Sequence, residues 1–331
     1  MPHGWIILDK PLGLGSTQAV AAVKRNLREA GLGKVKVGHG GTLDPLATGV
    51  LPIALGEATK LAGRMLDASK VYAFTVAFGA ETDTLDLEGK VIAQSDVRPT
   101  RAEVEAVLPR FTGPIEQVPP IYSALKVGGE RAYDLARAGE VVELAARAVT
   151  IFEILPHWGR WRAEGVSEGA LPSLQTPTVS PSGLPPPPEG EPLDAITLHA
   201  HVSKGTYIRS LARDIALALG TRGHVTMLRR LAAGPFTENQ AISLDKLNEV
   251  GKGAALENVL LPLEAGLVDI PALDLSSEQA SMVRQGRVLS GLPQHDGLFW
   301  ARYGTVPLAL MELSGGDARV VRGFNLSDVA E

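Results

Sequence analysis

The segment Gly38-His39-Gly40-Gly41-Thr42-Leu43-Asp44-Pro45-Leu46-Ala47-Thr48-Gly49 is the part of the chain best suited to chemistry. Four glycines in these twelve residues describe a tightly folded loop whose backbone a partner can approach closely. Asp44 is the loop's only carboxylate. The nearest acids in sequence are Asp9, Glu29 and Glu57, so a paired-carboxylate hydrolase is not indicated. A lone carboxylate works as a nucleophile or as a base. The competing reading is an Asp-Pro turn in which the side chain only caps the backbone. Several other chemistries lack their residues. Neither G-x-x-x-x-G-K-[ST] nor a G-x-G-x-x-G between strand and helix occurs, so no phosphate-cradling loop supports a nucleotide cofactor. No H-E-x-x-H occurs, and there is no cysteine, which removes thiolate nucleophiles, disulfides and Cys-based metal sites. His199 and His201 fall on one face of a strand but lack a third ligand nearby, as a structural pair would. Ser123-Ala-Leu-Lys126 matches S-x-x-K without the companion S-D-N and K-T-G, so a penicilloyl-type serine acylase is rejected.

Periodicity supplies the elements that must hold these groups. Val20, Val23 and Leu27 predict a helix over residues 19–29, with Ser16 as N-cap and Gly31 as the stop. Tyr72, Phe74, Val76 and Phe78 alternate with small residues, the pattern of a strand with one buried face. Ile208, Leu211, Ile215 and Leu219 predict a helix over 206–219, entered directly from a strand and closed by Gly220. Two strand-like segments, 148–155 and 195–202, flank Pro172–Pro192, where 8 of 21 residues are Pro. That stretch favours polyproline II and reads as a long insertion inside one domain. From Val268 onward the chain breaks into short alternating segments separated by glycines, as in a small β-barrel. The expected division is therefore 1–265 as a mixed α/β body and 266–331 as a small appended domain.

The 331 residues carry a net charge of −5, with 45% apolar and 21% charged residues, a normal globular mix. The charge is unevenly spread: residues 1–66 sum to +4 and 200–235 to +5, against −8 for 67–199 and −6 for 236–331. Two basic segments converging in the fold would make one positive surface, which the whole-chain charge hides. No apolar run reaches the ~18 residues of a membrane span. MPHGWIILDK lacks the regions of a secretory signal, so a cytoplasmic location is expected.

The Asp44 segment resembles the catalytic loop of the TruB family of tRNA pseudouridine synthases, G-x-L-D-P-x-A-T-G. Six further blocks resemble the family's in order. Leu8-Asp-Lys-Pro-Leu-Gly13 is similar to its K-P-x-G element, Lys70-Val-Tyr72 to K-x-Y, and Thr82-Asp-Thr-Leu-Asp86-Leu-Glu-Gly89 to T-D-T-x-D-x-x-G. Val118 to Lys126 resembles P-P-x-Y-S-A-x-K, and Ser203 to Arg209 with Leu228-Arg-Arg230 resembles S-K-G-T-Y-I-R and L-R-R. Gly15-Ser16 stands where the family usually has Thr-Ser, and the Pro-rich insertion is longer than usual.

The resemblance implies a mixed sheet flanked by helices with a C-terminal barrel of the PUA type. It implies isomerisation of uridine 55 in the tRNA T-arm, without cofactor, metal or obligatory protein partner, by a monomer. Asp44 would be the essential catalytic group and Arg209 its ion partner. Tyr72 would stack on the uracil with its hydroxyl near C5, and Tyr207 and Leu228 would close the pocket. His39 would enter the stem-loop where the flipped base has left. Lys70, Asp86, Ser123 and Lys126 belong to matching blocks without an assigned role. Two alternatives differ in class: an RNA-folding chaperone, and a subunit of a guide-RNA-dependent synthase. The second usually carries long basic tails, whereas this chain ends in Asn325-Leu-Ser-Asp-Val-Ala-Glu331.

Overall fold

A computed structural model describes residues 1–123, 125–140, 142–157 and 190–326. Residues 172–189 of the Pro-rich insertion lie outside the described residues. The chain divides into two compact units, one of residues 1–45, 49–66 and 233–331, the other of 46–48 and 67–232.

In the first unit, the strand Gly4–Lys10 runs antiparallel to Ala47–Leu55, from Gly4 opposite Leu55 to Lys10 opposite Gly49. The short strand Val37–His39 pairs with the same partner, His39 opposite Ile53. The helix Ser16–Glu29 buries Ser16, Ala19, Ala22, Val23, Asn26 and Leu27, one stripe at helical spacing. It packs on the helix Leu244–Gly251, where Asn26 Nδ2 donates to Asn248 Oδ1 at 3.0 Å. Ser16 is not the N-cap. Gly15 occupies that position in extended conformation, and its N–H donates to Gln18 Oε1 at 2.8 Å. The Ser16 hydroxyl is committed elsewhere, as the site shows below.

The C-terminal strands Ala272–Asp274, Gly297–Tyr303, Val306–Ser314 and Asp317–Gly323 form one sheet in that order. Its first pair is parallel and the others antiparallel. One apolar cluster, including Leu273, Ala280, Phe299, Met311 and Ala318, belongs to this region alone. Trp300, Leu310 and Phe324 instead join Trp5, Ile7 and Phe236 in a shared core, which ties residues 233–331 to the N-terminal strand. Trp5 is fully buried, and its Nε1 donates to the Leu263 carbonyl at 3.1 Å.

In the second unit the strands run Gly223–Ala233, Lys70–Phe78, Ala195–Val202, Arg147–Pro156, Gly113–Gln117 in spatial order. The pairs from Lys70–Phe78 onward are antiparallel, with Lys70 opposite Val202 and Arg147 opposite Gln117. The two strands that flank the insertion are thus neighbours in the sheet. The helix Ile208–Ala218 lays Ile208, Leu211, Ala212 and Ile215 onto a core with Phe74, Val76, Leu198 and Val202. No described helix is long and apolar enough to cross a membrane.

His199 and His201 each have an aromatic neighbour. His199 stacks on His157 with ring centres 4.6 Å apart, and His201 packs on Phe152 at 4.7 Å. Burial, reinforced by the charge of His157, pushes His199 down from 6.5 to about 4. The unfolded chain therefore binds a proton between those values that the folded chain refuses. Stability falls as pH drops through this window, by roughly 2 kcal/mol from this residue at pH 4.5. Urea unfolding at pH 7 and 4.5 should show that loss in the wild type and a smaller one in His199→Phe. Equal losses in both would exclude His199 as its source.

Candidate active site

Asp44 is half-buried in the first unit, and the chain is anchored on both sides of it. Before it, Ser16 Oγ accepts from the Leu43 N–H at 2.8 Å and donates to the Leu43 carbonyl at 2.9 Å. After it, the Pro45 carbonyl accepts from Gly13 N–H at 2.9 Å and from Lys10 Nζ at 3.3 Å. Lys10 is fully buried, and its ammonium also donates to the carbonyls of Pro11 at 3.0 Å and Leu14 at 2.6 Å. A buried ammonium is tolerated only when such acceptors replace its water, so the Lys10–Ser16 stretch and the Asp44 loop hold each other. Gly40 sits where a Cβ would come within 2.5 Å of Met65, and its N–H donates to the Pro52 carbonyl at 2.8 Å. His39 Nδ1 lies 3.4 Å from the Gly41 N–H on the same loop.

Tyr72, Tyr207, Arg209 and Leu228 all belong to the second unit. Tyr72 and Leu228 are partly buried and pack against one apolar cluster, that of Phe74, Leu198 and Leu211. Thr48, four residues after Asp44 in sequence and part of this unit, donates to the Leu228 carbonyl at 3.5 Å. Arg229 Nη1 in turn donates to Thr48 Oγ1 at 3.4 Å.

Arg209 opens its helix almost completely buried, 6% exposed. Nη1 donates to the Thr84 carbonyl at 2.8 Å and lies 3.3 Å from Asp86 Oδ2, while Nη2 donates to the Tyr122 carbonyl at 3.0 Å. Asp86 Oδ1 accepts from Thr84 Oγ1 at 2.5 Å and from Glu88 N–H at 3.0 Å. Between them Leu85 takes φ +62°, a left-handed conformation that a branched apolar residue adopts only under constraint. The constraint is visible: Thr82 and Val225 hold Leu85 by main-chain hydrogen bonds of 3.1 and 3.0 Å.

Tyr207 is held from both sides. Its N–H donates to Gln117 Oε1 at 2.8 Å, its carbonyl accepts from Gln117 Nε2 at 3.1 Å, and the Arg147 guanidinium lies 4.8 Å over its ring. Of the residues without an assigned role, Asp86 serves Arg209. Lys70 is pushed down to about 8, first by burial and then by Arg230, and donates to the Ala68 carbonyl at 2.6 Å. Ser123 is buried with its Oγ lacking a hydrogen-bond partner among the described residues, while its main chain bonds Ile121 and Tyr133. Lys126 sits exposed in a two-residue strand paired with Glu130–Arg131.

Sequence reasoning missed the positioning roles of Lys10, Ser16, Gln117 and Arg147. The only local signal was a lysine closing an apolar strand, which marks burial but not its partners.

Two family models match the chain. Residues 28–159 match the model of the TruB family pseudouridylate synthase N-terminal domain, and 209–268 match that of the tRNA pseudouridylate synthase B C-terminal domain. A protein of Novosphingobium aromaticivorans named tRNA pseudouridine synthase B is 69% identical over the whole of both chains. One of the same name from Zymomonas mobilis is 58% identical, covering 98% of this chain and 96% of its own. Among solved structures, a chain of an H/ACA RNP bound to a substrate RNA superposes with TM-score 0.66 at 23% identity, over 98% of this chain and 86% of its own. A chain of a Cbf5-Nop10-Gar1 complex gives 0.65 at 24%, over 97% and 85%. At these identities the likeness is one of fold, that of pseudouridine synthases with a mixed sheet and helices.

The anchoring of Asp44 can be weighed directly. Ser16→Ala leaves a buried donor and a buried acceptor on Leu43 without their partner, and should cost about 1–3 kcal/mol in urea unfolding. Ser16→Thr keeps the hydroxyl and should recover most of that loss. An alanine variant as stable as the wild type would show that the contact does not hold the loop.

Proposed function

Since the chain belongs to the TruB family of pseudouridylate synthases, we infer that it isomerises a uridine of tRNA to pseudouridine, at position 55 of the T-arm. The observation that carries the reading is Asp44, the lone carboxylate of its loop, on a main chain fixed at Leu43 and Pro45. The reaction breaks the C1′–N1 bond, turns the base and forms C1′–C5. A proton leaves C5 and one is gained at N1, so nothing is oxidised and no cofactor is called for. Addition of the carboxylate to C1′, its addition to C6, and assisted departure of the base all use the same ionised Asp44.

Arg209 keeps that carboxylate charged and oriented, a task suited to a planar guanidinium fork. Its own anchoring by Thr84, Tyr122 and Asp86 supports the role, because a fixed cation orients a carboxylate better than a mobile one. The target uridine is extruded from its stem-loop, at a cost of a few kcal/mol. Tyr72 stacks on it, Tyr207 and Leu228 line the apolar pocket, and His39 fills the space left in the RNA. We assign 1–265 to the catalytic domain and 266–331 to a PUA-type module, supported by the separate apolar cluster of the C-terminal sheet. The enzyme acts on tRNA in the cytoplasm, as a monomer without an obligatory protein partner.

Incubating the protein with an unmodified T-arm stem-loop and mapping pseudouridine tests the activity. Asp44→Asn, isosteric but uncharged, should give no detectable turnover with tRNA affinity changed less than about tenfold, ~1.4 kcal/mol. Activity within tenfold of the wild type would remove Asp44 from the mechanism. Tyr72 is tested by two substitutions. Tyr72→Phe keeps the ring and its stacking, about 1–3 kcal/mol, and should bind normally yet turn over at least ~100-fold more slowly. Tyr72→Leu should be as slow and also bind more weakly. A fully active Phe variant would mean that the hydroxyl moves no proton.

A further inference from the structure

At the C-terminal end of the Ser16–Glu29 helix lies a cavity of about 490 Å³, lined by Lys24, Leu27, Arg28, Gly33, Lys34 and Val35. Its composition is split. Leu27 and Val35 are buried, whereas Lys24, Arg28 and Lys34 are exposed. Among the described residues, none of these three cations makes an ion pair or a side-chain hydrogen bond. This contrasts with Lys60, Arg64 and Lys246 of the same unit, which are paired with Glu57, Asp269 and Glu249.

The main chain adds donors of its own. Ala30, Gly31 and Leu32 close the helix by bonding the carbonyls of Asn26, Arg28 and Leu27, which also occupies the negative end of its dipole. The next three N–H groups, of Gly33, Lys34 and Val35, donate to no acceptor among the described residues. Gly33 has φ +70° and open space around the position of a Cβ, so a ligand can approach the backbone there. Glu29, the segment's single carboxylate, turns instead towards the helix Leu244–Gly251, where a Cβ on Gly251 would lie 2.9 Å from its Oε2. Three uncompensated cations and three unused N–H groups around one cavity match an anion with several acceptor oxygens.

We propose that this cavity binds the phosphodiester backbone of the RNA substrate, apart from the pocket that takes the uridine. The inference rests on the tRNA reading above. A polymer is favoured over a free phosphate because the cations are distributed over both the helix and the loop, and because the same segment continues in sequence to Asp44. Val35 precedes Asp44 by nine residues, a reach of at most about 32 Å, which an RNA stem spans with ease. The cavity thus grips the stem and leaves the chemistry to the Asp44 loop.

The test is the combined variant Lys24→Gln, Arg28→Gln and Lys34→Gln, which keeps the apolar floor and the side-chain stems. Affinity for unmodified tRNA and for a plain RNA duplex is measured between 50 and 300 mM salt, with Arg319→Gln as control and urea melting as the check on folding. The proposal expects Kd to rise about tenfold for both RNAs, and the slope of log K against log salt to flatten by about two to three. The control should retain wild-type affinity and slope. Unchanged affinity and slope in the triple variant would overturn the proposal. Weaker binding with an unaltered slope would overturn it too, because the loss would then be structural rather than ionic. A wild type that makes no pseudouridine would fail the functional reading alone, and the duplex arm would still decide the cavity.

Discussion

The arrangement depends on one constraint: Asp44 sits between two peptide groups that the N-terminal stretch holds in place. Ser16 binds both polar groups of Leu43, and Lys10 and Gly13 bind the carbonyl of Pro45. The loop is glycine-rich and has little intrinsic rigidity. Without external anchors its carboxylate would sample many positions, and a misplacement of about 1 Å in a reacting group can cost two orders of magnitude in rate. Burying the Lys10 ammonium is the expense of this arrangement, and the carbonyls of Pro11, Leu14 and Pro45 offset it.

A second set of contacts does for a cation what these do for an anion. Arg209 is almost wholly buried, yet the carbonyls of Thr84 and Tyr122 and the Asp86 carboxylate meet its guanidinium. Two sequence-distant segments, 84–86 and the one holding Tyr122, therefore converge on one side chain. The left-handed Leu85 is a consequence, since the turn between Thr84 and Asp86 must present a carbonyl and a carboxylate to the same nitrogen. Strain at such a residue persists only where the surroundings over-determine it, as the bonds from Thr82 and Val225 do here.

Charge shows a division of labour along the first unit. Lys10 is spent on the fold, whereas Lys24, Arg28 and Lys34 make no ion pair among the described residues. Both kinds lie in the basic segment 1–66, and a count of charges cannot separate them. What separates them is burial: an ammonium at the end of a core strand must find internal acceptors, while one on an exposed helix face can remain solvated until an anion arrives.

By itself the sequence determined the local elements and the identity of the reacting groups. Period-2 alternation from Tyr72 to Phe78 and helical spacing from Ile208 to Ile215 both appear as strand and helix, because one buried face writes its period into the chain. The Asp44 loop was legible because glycine, proline and a single carboxylate have few uses in common. Tertiary structure decided the partners. Ser16 has the composition of an N-cap, and only the arrival of Leu43 diverts its hydroxyl and leaves the cap to Gly15. Asp86 and Gln117 look like surface polar residues until Arg209 and Tyr207 are folded onto them, and the C-terminal segment shares its core with Trp5 through contacts no local window contains. Periodicity records what a residue faces, in or out. Which distant group it faces is set by the path of the whole chain, and hydrogen bonds between remote segments leave no period to read.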